Sequence, residues 1–332
     1  MSVYIIAEAG VNHNGRLDLA LKLCDAAKKA GVDAVKFQTW KTENIVTASA
    51  KQAVYQTENT GVEESQYDML KKLELSYTQF EEIQQYCKKI GIDFLSTPDE
   101  EESLDFLMNK LHLPWVKIGS GEVTNIPYLR TIASYQKPVI LSTGMSTLAQ
   151  VATAYDTLLN AGAPSVSLLH CTTNYPCPYN EVNLRAMQTL KDAFKCQVGY
   201  SDHTMGIEIP VAAVAMGAEI IEKHFTLDRN MEGPDHKASL ETQELKLMVQ
   251  QIRHIETALG DGIKRPNKSE SENAKVVQKS ILAKRAIKKG ELLSSDNLIV
   301  KRAGAGISSA YWDVVVGTQA KYVFDIDEPI RF

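Results

Sequence analysis

Two histidines, His203 and His224, are the residues of this sequence whose chemistry is read most directly. They end two consecutive β-like runs, GYSDH and EIIEKHF. Two imidazoles with further coordination positions open suit a divalent transition metal such as Mn, Fe, Co or Zn. A zinc-protease site is not indicated, because the chain has no HExxH motif. One such histidine alone would favour a hydrogen-bonded core residue, but two at adjacent strand ends favour metal ligation.

A second group of residues has the chemistry of a phosphate site. It combines two lysines with four hydroxyls, each near the end of a β-like run: Lys36, Thr97, Lys117, Ser120, Ser142 and Ser201. Ammonium and hydroxyl groups donate the hydrogen bonds that phosphate oxygens accept. A lysine in an otherwise apolar strand also needs an anionic partner. The glycines of GSGE (119–122) let backbone amides approach a ligand, so the sequence predicts an anion site here.

The same two lysines allow a different chemistry. A lysine on a barrel strand can form a Schiff base with a carbonyl substrate, as in class I aldolases. The histidine pair argues against this alternative, since a bound metal would make the covalent step unnecessary. Each serine or threonine taken alone is also typical of a turn or a helix cap.

The elements that must position these residues alternate between strands and helices. Eight short β-rich runs are separated by helical patterns, at 5–10, 34–39, 93–98, 115–120, 138–143, 166–171, 197–202 and 219–225. Strand–helix alternation implies parallel pairing through right-handed crossovers. Eight units in about 260 residues predict a (β/α)8 TIM barrel. A doubly wound open sheet is the competing α/β fold, but no GxGxxG follows the first run.

The carboxyl ends of these runs are nearly all polar, and in such a barrel the active site lies at those ends. Side chains alternate along a strand, so Lys36 and Gln38 share one face, as do Glu222 and His224. Glu8 ends the first run and is the first candidate to transfer a proton or to stabilise a cationic centre. The eight ends together predict one polar mouth.

The domain organisation changes after residue 260. Residues 1–260 are predicted to form the barrel, 261–276 a polar linker containing Gly, Pro and Ser, and 277–332 a small β-rich domain. The connection 40–92, between the second and third runs, is unusually long, which is typical of a functional loop.

The composition excludes several classes of protein. A net charge of −5 gives no basic excess for a nucleic acid or a membrane surface. The first apolar run is broken by Glu8 and is too short for a signal peptide, and no stretch has the length of a membrane span. The five cysteines form no CxxC pair, so reduced thiols in a cytoplasmic protein are expected.

Nine ordered motifs carry a family resemblance. In chain order they are IAEAGVNHNG, VKFQT, FLSTP, KIGSGE, LSTGM, LLHCTTNYP, GYSDHTMG, EKHFTLD with GPDHKAS, and KRAGAGIS. With this combination the chain resembles the bacterial sialic acid synthase family over nearly its whole length. The resemblance implies a barrel followed by a SAF (antifreeze-like) domain, in a homodimer whose C-terminal domains are swapped. It also implies a divalent metal, with Mn²⁺ as the first choice and Mg²⁺ or Co²⁺ as alternatives.

The reaction that the resemblance implies is a condensation. Phosphoenolpyruvate, an N-acetylated hexosamine and water give a nine-carbon keto-sugar acid and phosphate, by metal-assisted C–C bond formation with C–O cleavage. N-acetylmannosamine, giving N-acetylneuraminate, is the expected sugar. The alternative is a 2,4-diacetamido-2,4,6-trideoxymannose, giving N,N′-diacetyllegionaminate. Pseudaminate synthesis is more remote, because 40–92 and GPDHKAS look more like the sialic and legionaminic branches.

Carried over position by position, the resemblance gives each group of residues a role. His203 and His224 match the metal ligands, and the two lysines and four hydroxyls match the phosphoenolpyruvate contacts. Glu8 and Gln38 match positions near the reacting carbons. The residues that match contacts to the amino sugar are Glu122, Tyr175, Asp235 and Arg302. Arg302 matches a SAF arginine that reaches into the partner subunit's barrel, although here Arg-Ala-Gly replaces the usual Arg-Pro-Gly.

A non-catalytic role is the remaining alternative. The C-terminal domain resembles ice-binding antifreeze proteins, which need a flat and fairly apolar face. This domain is instead rich in Lys, Arg, Asp and Glu, and the polar mouth of the barrel would have no role in ice binding.

Overall fold

Eight parallel strands form a barrel in the computed structural model, which describes residues 2–332 apart from the side chains of Val54, Tyr55 and Glu58. The strands are β1 Tyr4–Gly10, β2 Ala34–Thr39, β3 Asp93–Pro98, β4 Val116–Ile118, β5 Val139–Ser142, β6 Val166–His170, β7 Val198–Asp202 and β8 Ile220–Thr226. Each of the eight predicted runs contributes one strand. The predicted (β/α)8 fold is therefore confirmed.

The pairing of the strands places ionisable residues side by side. The order around the barrel is β3-β2-β1-β8-β7-β6-β5-β4, and β3 contacts β4 where the ladder is interrupted. Across the β1 ladders, Glu8 lies opposite both Lys36 and His224. Between β7 and β8, Ser201 lies opposite Glu222. A site that combines these residues follows directly from the register.

The barrel interior is layered along the strands. Six apolar residues form one buried cluster: Ile6, Ala34, Leu95, Ile140, Leu169 and Ile220. Side chains on one face of a strand recur every two residues, so the next inward positions belong to Glu8, Lys36 and Glu222. The apolar cluster therefore forms the floor of the polar mouth.

Helices connect the strands, and most of them cover the outer face of the barrel. They are α1 Leu17–Ala30, α2 Thr42–Ile45, α3 Val54–Thr60, α4 Gln66–Leu73, α5 Tyr77–Ile90, α6 Glu101–Asp105, α7 Ile126–Ser134, α8 Leu148–Asn160, α9 Arg185–Phe194, α10 Glu208–Ala215 and α11 Thr242–Leu259, with β9 Leu240–Glu241 paired to β8. Their starts follow ordinary capping chemistry: Ser76 accepts a hydrogen bond from the Gln79 N–H at the start of α5. Their buried apolar residues share one large core with the outward face of the strands.

The long connection 40–92 contains four helices. The last, α5, is the crossover helix that a barrel requires between β2 and β3. The others, α2 to α4, are additional, and Met69 and Leu73 of α4 pack against Val11 and Trp40. The connection is thus built onto the carboxyl ends of β1 and β2.

Residues 261–332 form a second compact unit. It contains α12 Lys268–Val277, the antiparallel pair β10 Lys279–Ala283 and β11 Leu298–Arg302, and α13 Trp312–Val315. Its own core includes Ile281, Leu293 and Phe324. The segment predicted as a linker, 261–276, contains most of α12. Asn267 and Glu270 form a capping box there, which starts a helix in a polar segment.

Within residues 2–332, none of the helices is long and apolar enough to cross a membrane.

The turn after β1 is closed by two buried histidines. His13 Nδ1 accepts a hydrogen bond from the Gly15 N–H (3.1 Å), and His236 Nε2 donates one to Asn14 Oδ1 (3.1 Å). Burial lowers the pKa of each histidine to about 4. These imidazoles are therefore neutral in the folded protein at neutral pH.

We expect this neutrality to make His13 a source of acid sensitivity. Because its folded pKa lies below its unfolded value, its contribution to stability is complete above pH 6.5 and is lost as the pH falls toward 4. The His13→Asn variant keeps an acceptor for Gly15 but does not titrate. Between pH 6.5 and 5, the free energy of unfolding of the wild type should fall by roughly 1 kcal/mol per pH unit relative to that of this variant. Urea unfolding at several pH values measures the difference. A difference that does not change with pH would contradict the expectation.

Candidate active site

Two lysines and two glutamates alternate at the centre of the polar mouth. Lys36 Nζ lies 2.5 Å from Glu8 Oε2 and 3.7 Å from Glu222 Oε2, and Lys117 Nζ lies 3.5 Å from Glu222 Oε1. All four side chains are almost completely buried. Buried charges are tolerated only when they are paired. These four charges balance one another, and we call them the charged quartet.

Hydroxyl groups surround the charged quartet. Lys36 donates to Thr97 Oγ1 (3.1 Å) and Lys117 donates to Ser142 Oγ (2.8 Å). Ser201 donates to Glu222 Oε1 (2.9 Å). Five of the six residues predicted from the sequence as an anion site are thus joined directly or through Glu222, whereas Ser120 accepts a hydrogen bond from the Gly144 N–H (2.9 Å). Both ammonium groups remain in the cavity, where an incoming anion can compete for them.

The two glutamates differ in their proton affinity. Burial raises the pKa of Glu8 to about 7, with the positive charge of Lys36 acting against burial. Burial acts in the same direction on Glu222, but Lys117 and Lys36 outweigh it and lower the pKa of Glu222 to about 2. Glu222 is therefore the permanent anion of the quartet. Glu8, which also accepts a hydrogen bond from Gln38 (3.2 Å), can exchange a proton near neutral pH.

The two histidines lie together beside the quartet. Their ring centroids are 5.5 Å apart, and the ring of Tyr175 contacts both, at 4.1 Å from His203 and 5.5 Å from His224. His203 Nδ1 donates to the carbonyl of Thr172 (2.6 Å), which leaves Nε2 with its lone pair. His224 Nδ1 is buried without a hydrogen bond, 3.7 Å from Asp235 Oδ2.

This donor set fits a divalent metal that keeps open positions. Burial lowers the pKa of both histidines, so both imidazoles are neutral and have a lone pair for a cation. In the described part of the chain, no cluster of three or more His, Cys, Asp or Glu has metal-binding geometry. The two neutral imidazoles are the groups that could ligate such a cation, and water or substrate would supply the remaining ligands.

These groups line one small cavity of about 130 Å³. Its walls are Glu8, Lys36, Gln38, Thr97, Asp99, Lys117, Gly119, Ser120, Ser142, Cys171, Tyr175, Ser201, His203, Glu222 and His224. A larger cavity of about 550 Å³ near α8 and α9 shares only Cys171 with it, and none of the predicted site residues lines that cavity. The chemistry is thus concentrated in the smaller, charged cavity.

The structure brings most, but not all, of the predicted site residues to this cavity. Every predicted catalytic, metal and phosphoenolpyruvate residue lines the cavity, as does Tyr175. Asp235 is not part of the cavity wall, and its Oδ2 lies 3.7 Å from His224 Nδ1. Glu122 is not part of the wall either, and it accepts a hydrogen bond from Asn125 (2.6 Å) in the turn after β4. Arg302 ends β11 in the second unit and is exposed, so its approach to a partner barrel stays a prediction.

Two acidic residues of the cavity had no predicted role. The sequence places Glu222 only on the same strand face as His224 and gives no role to Asp99, and both line the cavity. The period of two along a strand places both on the inward face, although it assigns neither a role. Glu222 lies two residues before His224, and Asp99 lies two residues after Thr97.

Known proteins with similar sequences identify the family. A model of the NeuB family matches residues 23–264, and a model of the SAF domain matches residues 278–332. The chain belongs to the NeuB family. The N,N′-diacetyllegionaminic acid synthase of Campylobacter jejuni is 54% identical over 98% of both chains. The Legionella pneumophila protein of the same name is 48% identical over 96% of this chain and 90% of its own.

A solved structure of a sialic acid synthetase shares the fold. The N-acetylneuraminic acid (sialic acid) synthetase from Leptospira borgpetersenii, in complex with citrate, superposes with a TM-score of 0.72. It is 37% identical, and the match covers 82% of this chain and 90% of that one. Membership of this family makes the chain an enzyme, a synthase rather than a non-catalytic binding protein. The prediction of a bacterial sialic acid or legionaminate synthase family is confirmed.

Proposed function

We propose that this NeuB-family enzyme condenses phosphoenolpyruvate with 2,4-diacetamido-2,4,6-trideoxymannose and water, giving N,N′-diacetyllegionaminate and phosphate. The observation that carries the sugar assignment is the 54% identity over 98% of both chains to a synthase of that name. The sialic acid synthetase structure is less similar, at 37% identity. The findings therefore favour the alternative over the N-acetylmannosamine that the sequence first suggested.

The phosphoenolpyruvate end of the cavity is assigned to Lys36, Lys117 and the surrounding hydroxyls. The two ammonium groups supply the positive charge that the phosphate and carboxylate of phosphoenolpyruvate require, and the hydroxyls fix the orientation of these two anionic groups. The quartet is neutral when both glutamates are ionised. An arriving anion therefore favours protonation of Glu8, whose pKa of about 7 allows it.

A protonated Glu8 then has a defined task in the reaction. C3 of phosphoenolpyruvate forms the new C–C bond to the aldehyde carbon of the open-chain sugar, whose C=O opens to an alkoxide, and cationic character is left at C2. Water adds at C2, and the C2–O bond to phosphate then breaks to leave the keto group. The Glu8 carboxyl can protonate the departing phosphate and regain a proton from the C2 hydroxyl, while the other proton of the added water ends on the sugar alkoxide. Gln38 holds the Glu8 carboxyl in place.

The metal is assigned to His203 and His224. A divalent cation there, Mn²⁺ as the first choice, supplies Lewis-acid polarisation of a carbonyl oxygen when bound. The backbone carbonyl of Thr172 accepts a hydrogen bond from His203 Nδ1 and so orients that imidazole, as is usual for a metal-ligating histidine. Tyr175 packs against both rings and restricts their rotation.

Phosphate release tests this function directly. The purified protein is mixed with Mn²⁺, phosphoenolpyruvate and one sugar at a time, and the products are identified by mass spectrometry. We expect phosphate release that depends on both substrates, with the diacetamido sugar turned over more efficiently than N-acetylmannosamine. Treatment with EDTA should abolish turnover, and added Mn²⁺ should restore it. Equal turnover in EDTA would contradict the metal assignment, and release without any sugar would contradict the condensation.

A further inference from the structure

A completely buried ion pair joins the two strands that carry the histidines, and it has no part in the reaction proposed above. Asp202 precedes His203 in the chain, and Lys223 precedes His224. Side chains alternate along a strand, so both charged groups take the face opposite the cavity, where α10 lies against β7 and β8. Lys223 Nζ is 2.5 Å from Asp202 Oδ2. Each member of the pair is therefore one peptide away from a residue assigned to the metal.

His203 lies just beyond the regular strand pairing. The register between β7 and β8 ends where Asp202 lies opposite Lys223. His224 is still inside β8 and lies opposite Glu8 of β1, so the ladder fixes its backbone. The position of the His203 imidazole therefore depends on the contacts that hold the turn after β7.

The ion pair closes that turn around His203. Asp202 Oδ1 accepts a hydrogen bond from the Thr204 N–H (3.1 Å), which makes an Asx turn, and Asp202 Oδ2 accepts one from the Thr204 hydroxyl (3.0 Å). Lys223 Nζ donates both to Asp202 Oδ2 and to the Thr204 carbonyl. The residues on either side of His203 are thus tied to each other, and the residue before His224 is tied to both of them.

Stability alone does not account for a charged pair at this place. Taking two charges out of water is costly, and apolar residues of similar volume often replace a buried ion pair without loss of stability. Apolar side chains would not, however, form hydrogen bonds to the backbone and hydroxyl of Thr204. The charged pair therefore adds a fixed distance and direction between two strand ends. Ligands of a metal are held in this way by hydrogen-bonded groups around them.

We propose that Lys223 and Asp202 are positioning residues, which hold His203 and His224 in the arrangement that binds a divalent cation. This inference rests on the metal assignment of the proposed function. The pair lies on the other face of the strands, so it acts on the imidazoles through the backbone. The hydrogen bond to the Thr172 carbonyl sets the rotation of the His203 ring, and the ion pair sets the position of the backbone that carries it.

The test measures the affinity of the folded protein for Mn²⁺, by titration followed by electron paramagnetic resonance. The main variant is Lys223→Met/Asp202→Asn, which removes both charges and so leaves neither of them unpaired in the interior. We expect its Kd for Mn²⁺ to rise by about tenfold to hundredfold, as is typical when a group that holds a metal ligand is lost. KM for phosphoenolpyruvate at saturating Mn²⁺ should stay unchanged, because Ser201 and Glu222 remain within the paired part of β7 and β8.

Two further variants separate positioning from folding. Thr204→Val removes one hydrogen bond to Asp202 but keeps the ion pair, so it is the milder change and should raise the Kd for Mn²⁺ severalfold. Lys191→Met is the matched control, because it breaks an exposed pair with Glu219 and should leave the Kd unchanged. Urea unfolding in the same buffer shows that each variant is folded under the conditions of the titration.

Two results would overturn the proposal. An unchanged Kd for Mn²⁺ in either folded variant would show that the pair is merely structural, since such a pair affects only the free energy of unfolding. A rise of KM for phosphoenolpyruvate as large as the rise of the Kd for Mn²⁺ would show that the whole mouth is distorted. The wild type is titrated first, so a wild type that does not bind Mn²⁺ would contradict the metal assignment itself before any variant is compared.

Discussion

The His203→Ala variant is expected to lose turnover by at least about 10³-fold while the protein stays folded. The imidazole lines the cavity, and its removal breaks a single side-chain hydrogen bond within the described part of the chain, the one to the Thr172 carbonyl. A Lewis acid is worth several kcal/mol of transition-state stabilisation, and each 1.4 kcal/mol is about tenfold in rate. Loss of one of two protein ligands should remove most of that contribution.

Metal binding is the second readout for this variant. Titration with Mn²⁺, followed by its electron paramagnetic resonance signal, should show the site in the wild type and its loss in His203→Ala. His170→Gln is the matched control, since His170 ends the neighbouring strand β6 and bonds to the Val182 carbonyl outside the charged cavity. Full turnover of His203→Ala with Mn²⁺ still bound would refute the metal assignment.

The Lys223→Met variant is expected to cause the largest loss of stability, about 3–5 kcal/mol. Lys223 and Asp202 are completely buried and 2.5 Å apart, on the face of β7 and β8 opposite the cavity. Asp202 also accepts hydrogen bonds from the Thr204 N–H (3.1 Å) and hydroxyl (3.0 Å). Removing the lysine leaves an uncompensated buried carboxylate, which is the costly way to break such a pair.

Urea unfolding measures this loss. Lys191→Met is the matched control, because Lys191 forms an exposed pair with Glu219 at 3.3 Å. Exposed pairs contribute about 0–1 kcal/mol, so this control should unfold almost like the wild type. The double variant Lys223→Met/Asp202→Asn should recover part of the loss, since it removes the stranded charge. A Lys223→Met variant that loses no more than the control would contradict the buried-pair account.

The sequence predicted the barrel because strand ends and strand period are local signals. Each apolar run that gave a strand also fixed which residues face inward, and the inward residues after the apolar floor form the site. β4 is the least regular case. Its run was predicted to extend to residue 120, but the strand ends at Ile118 because Ser120–Glu122 forms a 3₁₀ turn. That turn still brings Ser120 to the cavity wall.

The residues that sequence reasoning missed depend on contacts between strands. The importance of Glu222 follows only from the structure, in which Lys36 of β2 and Lys117 of β4 both lie within 4 Å of its carboxylate. Asp99 lies just past a strand end, where a polar residue is ordinary. The α12 helix was hidden by its polar composition, although the Asn267–Glu270 capping pair is a sequence signal that could have revealed it.

The choice of amino sugar is the central claim, and a competition assay tests it most directly. Equal concentrations of N-acetylmannosamine and the diacetamido sugar are given to the wild-type enzyme with Mn²⁺ and limiting phosphoenolpyruvate, and the two nine-carbon acids are counted by mass spectrometry. The account predicts that N,N′-diacetyllegionaminate predominates by at least about tenfold, the discrimination that a pocket shaped for the larger of two similar substrates provides. A product that is mainly N-acetylneuraminate would contradict it.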